Sequence, residues 1–398
     1  MNMLGELLNP ENRPDPYALY AQWREKSPVV RVGGPFVAVL GHAEAEQVLR
    51  GADFGHPEPE VIADDDPDHP VDAQGRVVRA FAFLNPPDHT RLRRLVSKAF
   101  TPRVIKDLQP RIEALTTAAI DQIVDAGETN LMDTLAVPLP VTVIAELLGV
   151  PIEDRERFGA WSAAMARASD PGFLLPPEVV EKAATARREF IAYFRDLAAA
   201  RRRTPGEDLL SALVAVSDEG EMLSEGELLV TLTLLLVAGH ETTTNLIGNG
   251  VLALLRHPEQ YAALAQDGSL AEGAVEEILR YDSPIQLTMR TALTPSTIGD
   301  VDMAAGDTAL VFFGAANRDP RTHQTPDTFD ITHPPARHLT FGHGIHFCLG
   351  APLARMEGRI VLRELARRIP DLRLAGEPEW ASTVTLRGLS SLPVAATS

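Results

Sequence analysis

The sequence predicts a mainly α-helical fold: a helix-dominated single domain with small β-sheets. Three observations predict it. Apolar residues recur with helical period over most of residues 90–256. Strand-like segments are short and confined to the neighbourhoods of residues 29–40 and 297–313. No alternating series of strands and helices runs along the chain, so a doubly wound parallel sheet is not expected. With 398 residues, 45% of them hydrophobic, the chain can bury a sizeable core, and one domain over residues 1–398 is expected.

The elements follow in order. Residues 29–31 and 36–40 flank Gly33-Gly34 and read as a β-hairpin. Residues 51–75 are rich in Pro and Asp and read as a long loop, a feature usually tied to function. Thr101-Pro102 and Pro177-Glu178 each start a helix, because proline suits the first helical turn. Ser224 and Glu227 form a capping box that opens a helix running to Arg256, where Pro258 stops it. Such a helix is on the order of 50 Å long. A β-rich patch covers residues 297–313, and a last strong helix runs from about residue 349 to 369 before Pro370.

Composition excludes several classes. Asp and Glu number 55 against 37 Lys and Arg, for a net charge of −18, which argues against a nucleic-acid partner. A single cysteine excludes an internal disulfide framework and any zinc or iron–sulfur site needing two thiolates. The longest apolar run, residues 228–238, is too short for a membrane span, and the first residues carry no secretory pattern. A soluble, cytoplasmic, monomeric protein is therefore expected.

The sole cysteine lies in Phe341-Gly342-His343-Gly344-Ile345-His346-Phe347-Cys348-Leu349-Gly350. Glycines at this density imply close backbone approach or positive φ. Cys348 lies at the mouth of a helix, where the helix dipole and unpaired N–H groups stabilise a thiolate. That suits axial ligation of a haem iron. A buried structural cysteine, or a metal site from His338, His343, His346 and Cys348, remains an alternative on the residues alone. The segment nevertheless resembles the haem-binding loop of the cytochrome P-450 family at each defining position (Phe-Gly-x-Gly-x-His-x-Cys-x-Gly). The resemblance implies that Cys348 is the axial iron ligand of haem b (iron protoporphyrin IX).

Further segments agree in order. Ala238-Gly239-His240-Glu241-Thr242 places an acid and an alcohol inside an apolar helix, costly unless used. It resembles the family's oxygen-activating stretch, which implies that Glu241 and Thr242 are catalytic and guide protons. Glu277 and Arg280, three apart on a helix, resemble the family's buried structural Glu-x-x-Arg pair. The usual third member, an arginine, aligns with His333, with Arg337 as a possible substitute; a titratable His333 beside Glu277 predicts pH-dependent haem retention. In the segment 88–94, His89 and Arg93 share one helix face and suit a carboxylate. The resemblance makes His89, Arg93, Arg290 and His346 haem-propionate contacts. The expected substrate pocket is Phe83, Leu84, Leu174, Leu234, Val237, Ala238, Ile285 and Leu287.

The resemblance implies a soluble bacterial enzyme of the type that tailors macrolides and polyketides, inserting one atom of O₂ into a C–H bond or epoxidising a C=C bond. No flavin or nicotinamide fingerprint is present, so a ferredoxin and its reductase, drawing on NAD(P)H, are the implied electron source. Arg355, Arg359 and Arg363, with Arg91, Arg94 and Lys98, form an expected docking patch, unless local ion pairs with Glu357 and Glu364 absorb the first three. Eight acids and no Lys or Arg lie within residues 51–75, which points to a bulky hydrophobic substrate bearing an amine. The competing readings are a peroxide-driven peroxygenase and a non-catalytic metal- or haem-binding sensor.

Overall fold

The computed structural model describes residues 3–58, 69–72, 74–170, 172–218, 220–333 and 337–396, without the side chains of Leu4 and Phe173. Of the acidic stretch, Glu60, Asp64, Asp65, Asp66 and Asp68 lie outside the described residues. The described chain forms two compact units. The first comprises residues 1–55, 112–139 and 242–398; the second comprises residues 56–111 and 140–241.

In the first unit a five-stranded sheet contains Val29–Gly33, Phe36–Val39, Thr308–Phe312, Leu287–Ala292 and Phe54–Gly55, in that spatial order. The expected hairpin is present, turning at Gly33 and Gly34, whose φ angles of 137° and 51° favour glycine. Successive side chains of a strand point to opposite faces, and the sequence uses both. Val37, Val39, Ala309 and Val311 pack on one face. Ala38, Leu40 and Phe312 pack on the other, with Tyr20, Trp23 and Leu287. Helix Ala271–Tyr281 packs on helix Ala351–Arg368. Gly358 makes close contact possible there: a Cβ would stand 3.1 Å from Val275 and 3.2 Å from Leu246.

The second unit is mainly helical. Helix Arg155–Ala166 packs on Pro177–Arg203 through Phe158, Trp161, Phe190 and Phe194, whose rings meet at centroid distances of 4.4–6.3 Å. Thr101 caps Pro102–Asp107, its Oγ1 accepting the Val104 N–H. Helix Glu225–Arg256 has the capping box read from the sequence: Ser224 N–H donates to Glu227 Oε2 at 2.8 Å, and Glu227 N–H donates to Ser224 Oγ at 3.2 Å. No helix among the described residues is long and apolar enough to cross a membrane.

Candidate functional site

The cysteine segment is a loop leading into helix Ala351–Arg368. Gly342 and Gly344 have φ of 72° and 68°, the left-handed region that L side chains disfavour. At Gly344 a Cβ would also stand 2.8 Å from the Leu49 carbonyl oxygen, so this position requires glycine twice over. Cys348 N–H donates to the Phe341 carbonyl at 2.8 Å, closing the loop on itself. The thiol is half-buried, two residues before the N-cap Gly350. Its position at a helix N-terminus favours the thiolate.

The neighbouring histidines do not assemble a metal cluster. His338 Nε2 faces Glu276 at 3.2 Å, and His343 Nε2 faces Glu46 at 3.4 Å. No group of three or more His, Cys, Asp or Glu among the described residues is placed to hold a metal ion. Arg290 lies on strand Leu287–Ala292 of the same unit. Its guanidinium donates to the Met289 carbonyl at 2.8 Å, and no described carboxylate pairs with it. Burial lowers its pKa to about 10. An arginine desolvated without an anionic partner is suited to receive a carboxylate. With one thiol and such an arginine in the same unit, the donor set fits a haem held through sulfur and a propionate.

Glu277 and Arg280 form the expected buried pair, with contacts of 2.7 and 2.8 Å between the carboxylate and the guanidinium fork. Arg280 also donates to the carbonyls of Pro326 and Thr328 at 2.7 and 2.8 Å, fastening the segment that precedes the cysteine loop. The second partner of Glu277 is the Asp330 backbone N–H, at 3.1 Å. The expectation for His333 is corrected here: its side chain is 66% exposed and turns to Asp330 Oδ2, 3.5 Å away. A solvated imidazole gains nothing from Glu277. Arg337 does not substitute either; it pairs with Glu46 at 2.5 Å.

In the second unit, helix Asp88–Ala99 buries His89 and half-buries Arg93, while three further cations of the helix find acids. Arg91 pairs with Glu227, and both Arg94 and Lys98 pair with Asp218. This corrects the reading of Arg91, Arg94 and Lys98 as a docking patch, because Glu227, Asp218 and Glu221, the last 3.5 Å from Arg94, together offset their charge locally. On the helix after Cys348 the stripe is also reduced. Arg355 is held by Glu276 at 2.6 and 2.8 Å, and Arg363 contacts Glu364 at 3.1 Å. Arg359 has no described carboxylate within ion-pair distance. Glu357, read as an ion-pair partner, is instead buried, with no hydrogen-bond partner at Oε2.

Of the expected pocket residues, Phe83 is 52% exposed and Ala238 is exposed, while Leu84, Leu174, Leu234, Val237 and Ile285 are half-buried. Leu287 packs into the sheet's apolar cluster with Tyr17 and Tyr20.

Glu241 and Thr242 are half-buried on the long helix. Sequence reasoning missed the residues behind Glu241. His240 is buried, its Nδ1 lies 2.6 Å from Ser162 Oγ, and its Nε2 lies 3.3 Å from Glu241 Oε2. Ser162 is itself fully buried and 78 positions distant, so no local pattern announces it.

Comparison with known proteins identifies the family. The family model described as Cytochrome P450 matches residues 60–368. Cytochrome P450 monooxygenase PikC of Streptomyces venezuelae is 43% identical, over 96% of this chain and 91% of that protein. The 6-deoxyerythronolide B hydroxylase of Saccharopolyspora erythraea is 39% identical, over 99% of both. Among solved structures, the Bacillus subtilis 168 bacillaene polyketide synthase cytochrome P450 PksS superposes with a TM-score of 0.89 at 37% identity, covering 98% of this chain and 99% of that one.

Proposed function

This chain belongs to the cytochrome P450 family and is an oxidoreductase of the monooxygenase type, and on that premise we propose that it inserts one oxygen atom of O₂ into a C–H or C=C bond of a bulky hydrophobic small molecule, a polyketide or macrolide. The observation that carries this reading is Cys348, the only thiol in the chain, in a glycine-shaped loop at a helix N-terminus. Haem b bound through that sulfur would supply the oxygen activation, with thiolate electron donation favouring O–O cleavage.

The protein's own residues do the rest. The Phe341–Cys348 backbone hydrogen bond orients the sulfur. Arg290 receives a propionate, and the family motif assigns the same role to His346, His89 and Arg93. Glu241 hands protons on through its carboxylate, and the Thr242 hydroxyl holds them at the reacting centre. Electrons come from a ferredoxin and its reductase. Of the stripe Arg355, Arg359 and Arg363, Arg359 is the member that remains available to an acidic partner.

The relatives' names support the substrate class: one is a 6-deoxyerythronolide B hydroxylase and another belongs to a polyketide synthase. The acidic stretch of residues 51–75 supports an amine on the substrate. Not all of these acids are available to a cation, since Asp72 is bound to Arg76 at 2.8 Å.

The test is the absorption spectrum of the reduced, carbon-monoxide-bound protein. Wild type is expected to show the thiolate-type band and Cys348→Ala to lose both it and oxygenase activity; a band that survives in the variant overturns the reading. Paired amine and amine-free macrolides, titrated for a haem spin-state shift at low and high salt, test the substrate class.

A further inference from the structure

The sequence Ala-Gly-His-Glu-Thr puts a histidine immediately before the acid, and the helix alone gives it no reason to touch that acid. Adjacent residues on an α-helix point about 100° apart and do not face each other. Yet His240 Nε2 stands 3.3 Å from Glu241 Oε2. The other ring nitrogen is fixed by Ser162, 2.6 Å away on helix Arg155–Ala166. Ser162 is 0% exposed and His240 2% exposed, so both polar groups are committed to partners inside the protein. The turn that carries them is seated tightly, because a Cβ at Gly239 would stand 3.2 Å from Ile144 Cδ1. Glu241 is not locked in this way; its side chain is 28% exposed and otherwise has rotamer freedom to lose.

We propose, building on the reading of Glu241 as the proton-handling acid, that His240 is a positioning residue: Ser162 fixes its tautomer, and its Nε2–H holds the Glu241 carboxylate in its working orientation. A serine hydroxyl donating to Nδ1 leaves the neutral ring's proton on Nε2. Nε2 is the nitrogen that stands 3.3 Å from Glu241 Oε2. The contact restrains the carboxylate without joining the chemistry, so the histidine touches neither substrate nor cofactor.

The test separates this role from simple packing and from the proposed activity. Protein labelled with nitrogen-15 at histidine is studied as the reduced carbon-monoxide complex, with His240 assigned by its absence in His240→Gln. The wild-type ring is expected to carry its proton on Nε2, and Ser162→Ala to shift it toward Nδ1. A wild-type proton on Nδ1, or an unchanged ring in Ser162→Ala, overturns the proposal whether or not the protein turns over. NADPH consumption with a surrogate ferredoxin and its reductase supplies the second readout. His240→Phe is expected to lower kcat about tenfold, the scale of one hydrogen bond to a charged group, with KM for ferredoxin unchanged. His240→Gln, which keeps an N–H donor, is expected to restore most of it. Unaltered kcat in His240→Phe, or no rescue by glutamine, overturns the proposal.

Discussion

Glu276 and Glu357 lie on two helices that pack against each other, and they are driven in opposite directions. Burial raises the pKa of both. For Glu276 the hydrogen bonds from Arg355 and His338 outweigh burial and hold it at about 2. For Glu357 nothing opposes burial, and its pKa rises to about 8. Glu277, beside Glu276, is likewise buried but engaged by Arg280. Depth alone therefore does not set the charge of a carboxylate in this protein; the presence of a cation within reach does. Around the cysteine loop the fold uses charged, paired acids to fasten chain segments and keeps one acid neutral inside a helix interface.

The sharpest way to break this contrast is to strand a paired acid. Arg280→Met leaves Glu277 buried with only the Asp330 N–H for company, and is expected to cost about 3–5 kcal/mol in urea unfolding. A loss under about 1 kcal/mol would show that the pair contributes little beyond its packing.

Glu357 gives the next effect, with the opposite sign. A carboxyl whose folded pKa is raised holds its proton better in the folded state than in the unfolded one. Stability then falls as pH rises from the unfolded value near 4.5 to about 8, by roughly 1 kcal/mol per pH unit. Glu357→Gln removes that slope and is expected to make the protein more stable than wild type at pH 8, by about 3 kcal/mol. Parallel unfolding curves for the two proteins from pH 5 to 8 would refute it.

Arg355→Ala probes the other half. Glu276 has a depressed pKa, so its contribution is present above the unfolded value of 4.5 and lost as pH falls through about 2. Because Arg355 is 39% exposed, screening reduces the effect, and a loss of about 1 kcal/mol at pH 7 is expected, vanishing below pH 2. Denaturant midpoints at both pH values measure it. Smallest of all is His333→Ala, expected to change stability by less than about 0.5 kcal/mol at any pH, since the side chain is solvated. A larger loss would reinstate a role beside Glu277.

What was legible in the sequence was local. The Ser224–Glu227 capping box, the Gly33-Gly34 hairpin, the positive-φ glycines before Cys348 and the Glu277–Arg280 pair each depend on residues within a few positions of one another. What was not legible came from elsewhere in the chain. Asp218 pairs with both Arg94 and Lys98 from more than 100 positions away, and Ser162 reaches His240 across 78. His333 was read as an arginine's replacement by position alone, but position does not say which way a side chain turns. Glu357 did carry a signal: Leu353 and Val361, four residues to either side, are both buried, so the glutamate shares their apolar face.

Having a single cysteine turns the protein into its own gauge of cofactor loading. With Cys348 as the proposed haem ligand, a thiol-reactive dye would compete with iron for one sulfur only, so the dye bound per chain would count the molecules without haem. Any preparation can thus be calibrated without a standard, and variants at Arg290 can be ranked by how quickly that count climbs during dialysis.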